Sequence, residues 1–223
     1  MPIILHSPPP ATLTEAEIAR WAHVPVPVAA DLGGDAALID PAIRPLRPAG
    51  RQPRLFGQAV TVRCEPPDFG AVLQALDLIG RGQVLVIDAG GHRETAMIGD
   101  ILSGHLRAKG VAGVICDGAV RDTGTLAGWD DFPVYARWVT PRGPTGAARG
   151  EVNLPVAVGG CNVAPGDLLI GDDDGLVVLP PAVVRGRIAD AEAKLAREAD
   201  WISALASGQP AAEVFGLAPP ARV

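Results

Sequence analysis

The fold is decided by VLVIDAGG (84–91), TAMIGDILSGHLRAKG (95–110) and VAGVICDG (111–118). The first and third segments are continuous apolar runs that end in glycine, which is typical of strands buried on both faces of a sheet. The segment between them carries a helical pattern, and VRDTGTLAGW (120–129) predicts a turn followed by a short helix. Strand, helix and strand with short connections predict a parallel or mixed sheet that helices cover.

The same alternation continues on both sides of this centre. Before it, LFGQAVTVRCE (55–65) predicts a strand and FGAVLQALDLIGRG (69–82) a helix that ends at glycine. After it, FPVYARWV (132–139) predicts a further strand. Beyond residue 140, tight turns separate short apolar segments, which predicts a β-rich layer: VNLPVAVGG (152–160), DLLIGD (167–172) and GLVVLP (175–180).

Helices are predicted at both ends of the chain. Thr14 is followed three positions later by Glu17, which is the capping-box pattern of a short helix within residues 14–22. A final helix is predicted from Ala182 to Ser207. Its apolar residues form one stripe: Val184, Ile188, Ala191, Leu195, Ile202 and Leu205.

The composition favours one folded domain and excludes several function classes. The 223 residues are 48% hydrophobic and 20% charged, so the chain can bury a core. We divide it into an N-terminal helical and loop segment packed on the core (1–53), an α/β core (54–180) and a C-terminal helix with its tail (181–223). The net charge of −6 argues against a nucleic-acid partner. No apolar run approaches the ~18 residues of a membrane span, and without a leader pattern we expect a cytoplasmic protein.

Polar residues follow two of the predicted buried strands. Gly99-Asp100 comes after the first strand, and Arg121-Asp122 comes after the next. Ligands of open α/β sheets bind beyond the carboxyl ends of strands, so these residues converge on one cleft if the two strands are neighbours. Carboxylates suit Mg²⁺ or Mn²⁺, and an arginine suits a substrate carboxylate. Together with free helix-terminal amides, this set favours a 2-oxo acid, whose ketone a metal would polarise and whose enolate it would stabilise.

Simpler interpretations of the same residues remain open. Asp100 also fits the N-cap of the helix that follows, and Arg121-Asp122 also fits a surface ion pair. The segment DDDG (172–175) contains the acidic residues of a cation loop but lacks its spacing, so we interpret it as a β-turn. No lysine lies in either polar loop, which argues against a Schiff-base aldolase.

Glu198 occupies an unusual position in the final helix. At ~100° per residue it falls inside the apolar stripe, between Leu195 and Ile202. A carboxylate on a buried face requires a partner, such as an arginine or a metal. An ordinary salt bridge with Arg187, near the edge of the stripe, is the alternative.

The string GGHRETAMIGDILSGHLRAKGVAGVICDGAVRD (90–122) resembles the signature of a known family. That family includes class II 4-hydroxy-4-methyl-2-oxoglutarate/4-carboxy-4-hydroxy-2-oxoadipate aldolases and regulator of ribonuclease activity A. Its hallmark is Gly-Asp followed, after a helix and a strand, by Arg-Asp. The likeness extends from roughly residue 25 to residue 207 and includes the turns at 165–167 and 172–175. The resemblance implies a swivelling β/β/α-type domain, assembled as trimers or dimers of trimers with active sites between subunits.

The resemblance also implies roles for the metal-binding residues. In the aldolase branch, the residue that matches Asp122 binds a divalent metal, Mg²⁺ or Mn²⁺. The residue that matches Asp100 holds a metal-bound water. A glutamate from the C-terminal helix of a neighbouring subunit approaches the metal, and Glu198 fits that role by position.

The substrate-binding roles follow from the same resemblance. The residue that matches Arg121 grips pyruvate and lies near the water that transfers the proton. The amides that follow Gly99 and its aspartate, here those of Ile101 and Leu102, bind the substrate carboxylate. One departure lies after the strand near residue 64, where the aldolases tend to carry Asp-Asn and then a histidine one helical turn later. This chain has Phe69 and Leu73 instead, which leaves recognition of the distal half of the substrate open.

We therefore predict a divalent-metal-dependent carbon–carbon lyase that acts on a small 2-oxo acid through a pyruvate enolate. The reaction is retro-aldol cleavage of 4-hydroxy-4-methyl-2-oxoglutarate-like substrates, oxaloacetate decarboxylation, or both. The alternative is a non-catalytic, protein-binding regulator on the same scaffold, similar to regulator of ribonuclease activity A.

Overall fold

The computed structural model describes residues 2–7, 13–32, 37–219 and 221. The strands are β1 (Ile4–Leu5), β2 (Ala37–Leu38), β3 (Arg44–Pro45), β4 (Leu55–Arg63), β5 (Gln83–Ile98), β6 (Gly113–Val120), β7 (Val134–Val139), β8 (Glu151–Val152), β9 (Val156–Val158), β10 (Cys161–Val163), β11 (Leu168–Asp172) and β12 (Gly175–Leu179). The helices are α1 (Glu15–Arg20), α2 (Val26–Ala30), α3 (Gly70–Leu78), α4 (Asp100–Ala108), α5 (Thr123–Leu126), α6 (Pro181–Ala206) and α7 (Ala211–Val214).

Ten of these strands form one mixed sheet. Its order is β2-β12-β11-β4-β5-β6-β7-β3, with β8 beside β4 and β1 beside β8. The four central strands β4 to β7 run parallel, whereas β11, β12, β2 and β3 are antiparallel to their neighbours. The predicted alternation of strands and helices thus produces the parallel centre, and the short strands after residue 140 extend its edge.

Helices cover one face of the sheet, and the hairpin of β9 and β10 covers the other. Leu85 and Val114 pack on the helical face in a cluster shared with α3 and α4. Val86 and Ile115, which alternate with them, pack on the opposite face with Val158 of the hairpin. Because successive side chains of a strand point to opposite faces, each central strand contributes to both layers. This β/β/α layering in a single domain with a C-terminal helix confirms the predicted fold class.

Strand β5 is longer than predicted. It continues past residue 91 to Ile98, with shifts in its register against β6 after Asp88. Gly90 and Gly91 have φ angles of +60° and +72°, a region that glycine adopts without steric cost. The chain therefore leaves the sheet, turns and rejoins β6, and the helix predicted within residues 95–110 follows as α4, Asp100–Ala108.

The N-terminal segment packs against the first half of α6. The predicted capping box is present, because the backbone N–H of Glu17 donates to Thr14 Oγ1 (3.2 Å) and that of Thr14 donates to Glu17 Oε2 (2.7 Å). Trp21 is fully buried, and its Nε1 donates to the carbonyl of Val184 at 3.0 Å. These contacts fix the start of α6 on the edge of the sheet.

The acidic segment 172–175 is a turn, as predicted. Asp172 and Gly175 lie opposite each other in the antiparallel pair of β11 and β12. The backbone N–H of Asp174 donates to Asp172 Oδ1 at 2.9 Å, and the other carboxylate oxygen of Asp172 accepts from the N–H of Val26. The carboxylate therefore binds backbone groups of its own chain.

The predicted apolar stripe of α6 is buried only along its first half. Val184, Ile188 and Ala191 are buried, whereas Ile202 is 69% exposed and Leu205 is 39% exposed. The reason is that α1, α2 and β12 pack against the first half of α6, and the helix extends past these elements beyond Leu195, which is partly buried against them. Among the described residues, no helix is long and apolar enough to cross a membrane.

Candidate functional site

Two neighbouring strands bring the predicted site residues together. Strands β5 and β6 are adjacent, and Ile98 lies opposite Val120 at their carboxyl ends. The backbone N–H of Arg121 donates to the carbonyl of Ile98 at 3.2 Å. The Gly-Asp pair that follows β5 and the Arg-Asp pair that follows β6 therefore meet at one edge of the sheet.

Asp100 is the first residue of α4, and its backbone connects the two pairs. The N-cap of this helix is Gly99, so the N-cap interpretation of Asp100 is wrong. The N–H of Asp100 donates to Asp122 Oδ2 at 3.1 Å. In the described part of the chain, no hydrogen-bond donor contacts the Asp100 carboxylate, which leaves both of its oxygens available to a ligand.

Asp122 lies in a left-handed conformation between β6 and α5. Its φ and ψ angles are 57° and 36°, a region that Asp and Asn visit more readily than other residues with a Cβ. Its Oδ2 lies 3.3 Å from Arg121 Nε, and the two side chains are 35% and 38% exposed. The ion pair of the simpler interpretation is thus present, but it lies beside Asp100, and its Arg121 also lines a cavity.

Two glycines allow these side chains to approach the backbone closely. A Cβ on Gly99 would collide with Asp122 Oδ2 and would lie 2.9 Å from Arg121 Cγ. A Cβ on Gly143 would lie 2.6 Å from Arg121 Nη1. Gly99 was predicted from the sequence, whereas Gly143 was missed because it lies in a long connection with no strand end or motif to mark it.

The first turn of α4 presents backbone N–H groups to the same place. Such groups have no acceptor within the helix, and the helix dipole favours an anion near them. Among the described residues, the N–H groups of Ile101 and Leu102 find no acceptor. The nine-residue helix therefore offers two donors beside Arg121, as a carboxylate requires.

A cavity of about 300 Å³ opens next to Arg121. Helices α3 and α4, the end of β5 and the connection after β7 form its walls, and the residues that line it are Phe69, Leu73, Ala96, Met97, Ile98, Gly99, Ile101, Leu102, Arg121, Gly143 and Pro144. Most of these side chains are hydrocarbon. The two residues that depart from the aldolase pattern, Phe69 and Leu73, both line this cavity.

Asp68 fixes the backbone next to Phe69 by hydrogen bonds. Its side chain is 4% exposed and accepts hydrogen bonds from the N–H groups of Gly70, Ala148 and Arg149. Although burial acts in the opposite direction, these backbone donors lower the pKa of the Asp68 carboxyl. The ionised carboxylate therefore fastens the connection at residues 146–149 to the start of α3.

The cysteines near the cavity belong to the core. Cys64 and Cys116 are buried in the cluster between the sheet and the helices. Burial raises the pKa of the Cys64 thiol to about 12 and raises the pKa of the Cys116 thiol well above its usual range. Neither thiol ionises near neutral pH, so neither is an available nucleophile.

The oxygen atoms of Asp100 and Asp122 fit a hard divalent cation in part. Asp122 Oδ2 is occupied by two N–H donors, whereas Asp122 Oδ1 and the Asp100 carboxylate have none among the described residues. No group of three or more His, Cys, Asp or Glu residues within the described ranges is suited to hold a metal. A Mg²⁺ ion usually keeps several waters and takes one or two carboxylates, so Asp100 and Asp122 would supply its protein ligands and water would supply the others.

Glu198 does not reach these residues within its own chain. It is 35% exposed, and its carboxylate lies 3.4 Å from Lys194 Nζ, one helical turn away. Lys194 also pairs with Asp31 at 2.6 Å, while Arg187 pairs with Asp190. The salt-bridge alternative with Arg187 is therefore wrong as to the partner. The carboxylate is not buried, although α7 packs against this half of α6 and the ring centroids of Trp201 and Phe215 lie 5.2 Å apart.

Comparison with known proteins identifies similar sequences. The RraA-like family, described as Aldolase/RraA, matches residues 11–178. A protein of Halalkalibacterium halodurans strain C-125 named "Putative 4-hydroxy-4-methyl-2-oxoglutarate aldolase" is 36% identical over 135 residues. That match spans 60% of this chain and 64% of the relative, so it covers less than two thirds of the relative's length.

Two solved structures are similar to this one. A protein from Pseudomonas syringae pv. tomato strain DC3000 has a TM-score of 0.79 at 25% identity, over 94% of this chain and 100% of the other. The RNA-processing inhibitor RraA from Thermus thermophilis has a TM-score of 0.61 at 34% identity, over 68% of this chain and 89% of the other. Aldolase and inhibitor names thus both occur among the similar proteins.

Proposed function

The chain belongs to the Aldolase/RraA family, and on that premise we propose that it is a divalent-metal-dependent lyase that releases pyruvate from a small 2-oxo acid. The aldolase name of the 36%-identical relative supports a lyase at a coarse level. The observation that carries the proposal is that Asp100 and Asp122 meet Arg121, which also lines a cavity. A surface ion pair alone would not need an adjacent cavity or a second, unpaired carboxylate.

Arg121 and α4 hold the carboxylate of the substrate in this proposal. The guanidinium is a permanently charged, planar donor that matches a carboxylate in two parallel hydrogen bonds. The N–H groups of Ile101 and Leu102 approach the same carboxylate from the helix terminus. The 2-oxo acid is thereby oriented with its ketone toward the two aspartates.

Asp122 would bind the metal directly and Asp100 would bind it through water. When bound, a divalent cation at this position polarises the ketone and stabilises negative charge on its oxygen. In retro-aldol cleavage the C3–C4 bond breaks, the C4 hydroxyl loses its proton, and the electron pair of the bond forms the enolate of pyruvate. In this proposal Arg121 positions the water that carries the proton. Oxaloacetate decarboxylation passes through the same enolate.

The C-terminal half of α6 is where we place the contact between subunits of a trimer or hexamer. Its exposed apolar side chains continue into α7 and the residues after it, where Phe215 is 46% exposed and Leu217 63% exposed. Monomeric proteins rarely leave contiguous apolar surface uncovered. In such an assembly, Glu198 from the neighbouring subunit would complete the metal site.

Pyruvate release tests this function directly. We expect pyruvate from oxaloacetate, from 4-hydroxy-4-methyl-2-oxoglutarate, or from both in the presence of Mg²⁺ or Mn²⁺, and no release in excess chelator. Addition of Mg²⁺ beyond the chelator should restore turnover. Full turnover in chelator would contradict the metal-dependent mechanism.

A protein-binding regulator is the second candidate. The similarity to the RNA-processing inhibitor from Thermus thermophilis favours it. The two candidates differ in what the site must do, because a regulator needs no turnover and its binding is unaffected when Asp122 is replaced. Absence of pyruvate release from every 2-oxo acid, with Mg²⁺ and Mn²⁺ tested, would favour the regulator.

A further inference from the structure

We propose that the substrate carries one carboxylate, held at Arg121, and that its distal half is a hydrocarbon group rather than a second carboxylate. This inference rests on the proposed function and names the class of substrate: a 4-hydroxy-2-oxo acid with an apolar substituent at C4. The cavity of about 300 Å³ lies at the small end of the range of ligand sites, so the substituent is short.

The charge distribution in the cavity is the first argument. Arg121 is the one charged residue among the described residues that line it. Arg121 and the two N–H donors in the first turn of α4 are therefore the groups of this lining that bind a carboxylate, whereas Asp100 and Asp122 lie beside Arg121 but do not line the cavity. A single carboxylate satisfies this end of the cavity.

The hydrocarbon lining is the second argument. It includes Phe69, the N-cap of α3, with Leu73 of α3, Met97 of β5 and Leu102 of α4. Phe69 and Leu73 are half-buried and pack on the core cluster, so they present a fixed apolar surface. A second carboxylate placed there would lose its water without gaining a donor, which is costly. An alkyl or aryl group placed there gains by burial.

Among the residues that the structure describes, no second cation lines the cavity. Arg142 precedes Gly143 in the chain, but it is exposed and does not line the cavity. Arg149 lies 3.6 Å from Glu65 and 3.8 Å from the buried Asp68, so its charge is directed to two carboxylates. The nearest buried ionisable group on this wall is Asp68, an anion that would repel a distal carboxylate.

Two substrates that differ only at the distal group test the inference. They are 4-hydroxy-4-methyl-2-oxoglutarate and 4-hydroxy-4-methyl-2-oxohexanoate, in which an ethyl group replaces the distal carboxylate. Cleavage of the C3–C4 bond yields pyruvate plus pyruvate from the first, and pyruvate plus butanone from the second. We expect the unmodified protein with Mg²⁺ to show at least a tenfold higher kcat/KM for the hexanoate. An equal or higher kcat/KM for the glutarate would overturn the inference.

Leu73→Arg places a cation on the apolar wall, and Leu78→Arg is its matched control. Leu78 lies on the same helix, is 49% exposed and does not line the cavity. We expect Leu73→Arg to shift the ratio of the two kcat/KM values at least tenfold toward the glutarate, and Leu78→Arg to leave it unchanged. The same shift in both variants would mean that overall charge decides the preference, and would overturn the inference. The comparison of substrates on the unmodified protein remains decisive if Leu73→Arg does not fold.

Arg142→Ala tests the remaining cation. We expect it to leave the ratio of the two kcat/KM values unchanged, whereas a selective loss of turnover of the glutarate would show that Arg142 binds a distal carboxylate.

Failure of the proposed function is distinguishable from failure of this inference. If none of oxaloacetate, the glutarate and the hexanoate releases pyruvate, the function fails and the inference with it. If the glutarate reacts and the hexanoate does not, the function stands and the inference alone fails.

Discussion

The carboxyl ends of β5 and β6 and the C-terminal arm, residues 192–217, differ in what holds their polar groups in place. Around Asp100 and Asp122, the supporting residues Met97, Ile98 and Val120 are at most 3% exposed. In the arm, no residue is buried. Side-chain geometry at the strand ends is therefore fixed within one chain, whereas the environment of the arm depends on whatever covers it. We expect substitutions in the first region to act within a subunit and those in the second to act through assembly.

Asp122→Asn is expected to have the largest effect on the strand ends. Asparagine tolerates the left-handed conformation at this position, so the fold should be retained. The charge needed by a metal is lost, and we expect kcat/KM to fall by about 10³-fold, as when a preorganised charge-stabilising group is removed. Pyruvate release and the thermal unfolding midpoint should be measured together. Activity close to that of the unmodified protein would mean that Asp122 has no role in catalysis.

Arg121→Lys is expected to follow in size. Lysine keeps the positive charge but loses the two-pronged geometry that matches a carboxylate. We expect a fall in kcat/KM of roughly 10²-fold, with a rise in KM that reports the lost carboxylate contact. A mild effect would mean that Arg121 serves only as the ion-pair partner of Asp122.

Gly99→Ala tests whether the position after β5 must lack a side chain. The added Cβ would displace Asp122 and Arg121 from their positions, and we expect activity to fall by about 10- to 100-fold, since misplacement by about 1 Å has effects of that order. Gly104→Ala is the control. Gly104 lies inside α4, and a Cβ there would make an ordinary van der Waals contact with the Trp129 side chain at 3.6 Å. That control should retain activity and stability.

Glu198→Ala tests the arm, and here the expected effect depends on assembly. We expect a loss of activity of about 10- to 100-fold if the carboxylate supports a neighbour's metal. Subunits with Asp122→Ala and subunits with Glu198→Ala should complement each other, because mixed oligomers contain some sites with both residues intact. Turnover should reappear on mixing and disappear on dilution to monomers. If well-mixed oligomers show no turnover, Glu198 does not act in a neighbouring subunit's site and only pairs with Lys194 in its own chain.

Glu17→Gln is expected to have the smallest effect, and it probes the anchored first half of α6. The backbone N–H of Thr14, the Arg185 side chain and the Thr14 hydroxyl lower the pKa of Glu17 from 4.5 to about 2. A lowered pKa means that the ionised carboxylate stabilises the folded state above pH 4.5, and that this contribution is lost as the pH falls toward 2. The variant should therefore unfold at a slightly lower temperature at pH 7 and at the same temperature as the unmodified protein near pH 2. A constant difference across this range would contradict the assignment.

Local patterns in the sequence predict much of this protein. Apolar runs between glycines identify the central strands, the Thr14 and Glu17 pair identifies the start of α1, and the acidic segment 172–175 is correctly interpreted as a turn. These features depend on residues close together in the chain, where sterics, capping and burial on both faces act directly. The Arg-Asp pair indicated the candidate site for the same reason, because it closely follows a recognisable strand, whereas Gly99-Asp100 follows the part of β5 that the sequence did not predict.

Tertiary structure decided the features that depend on distant parts of the chain. The return of β5 to β6 sets the start of α4, the connection after β7 brings Gly143 to Arg121, and Asp68 fastens that connection by backbone hydrogen bonds across about 80 residues of sequence. The periodicity of α6 predicts an apolar stripe, but only contacts with α1, α2 and β12 determine which half of it is buried. A sequence records which side chains favour burial, whereas the packing of distant elements determines which of them is covered.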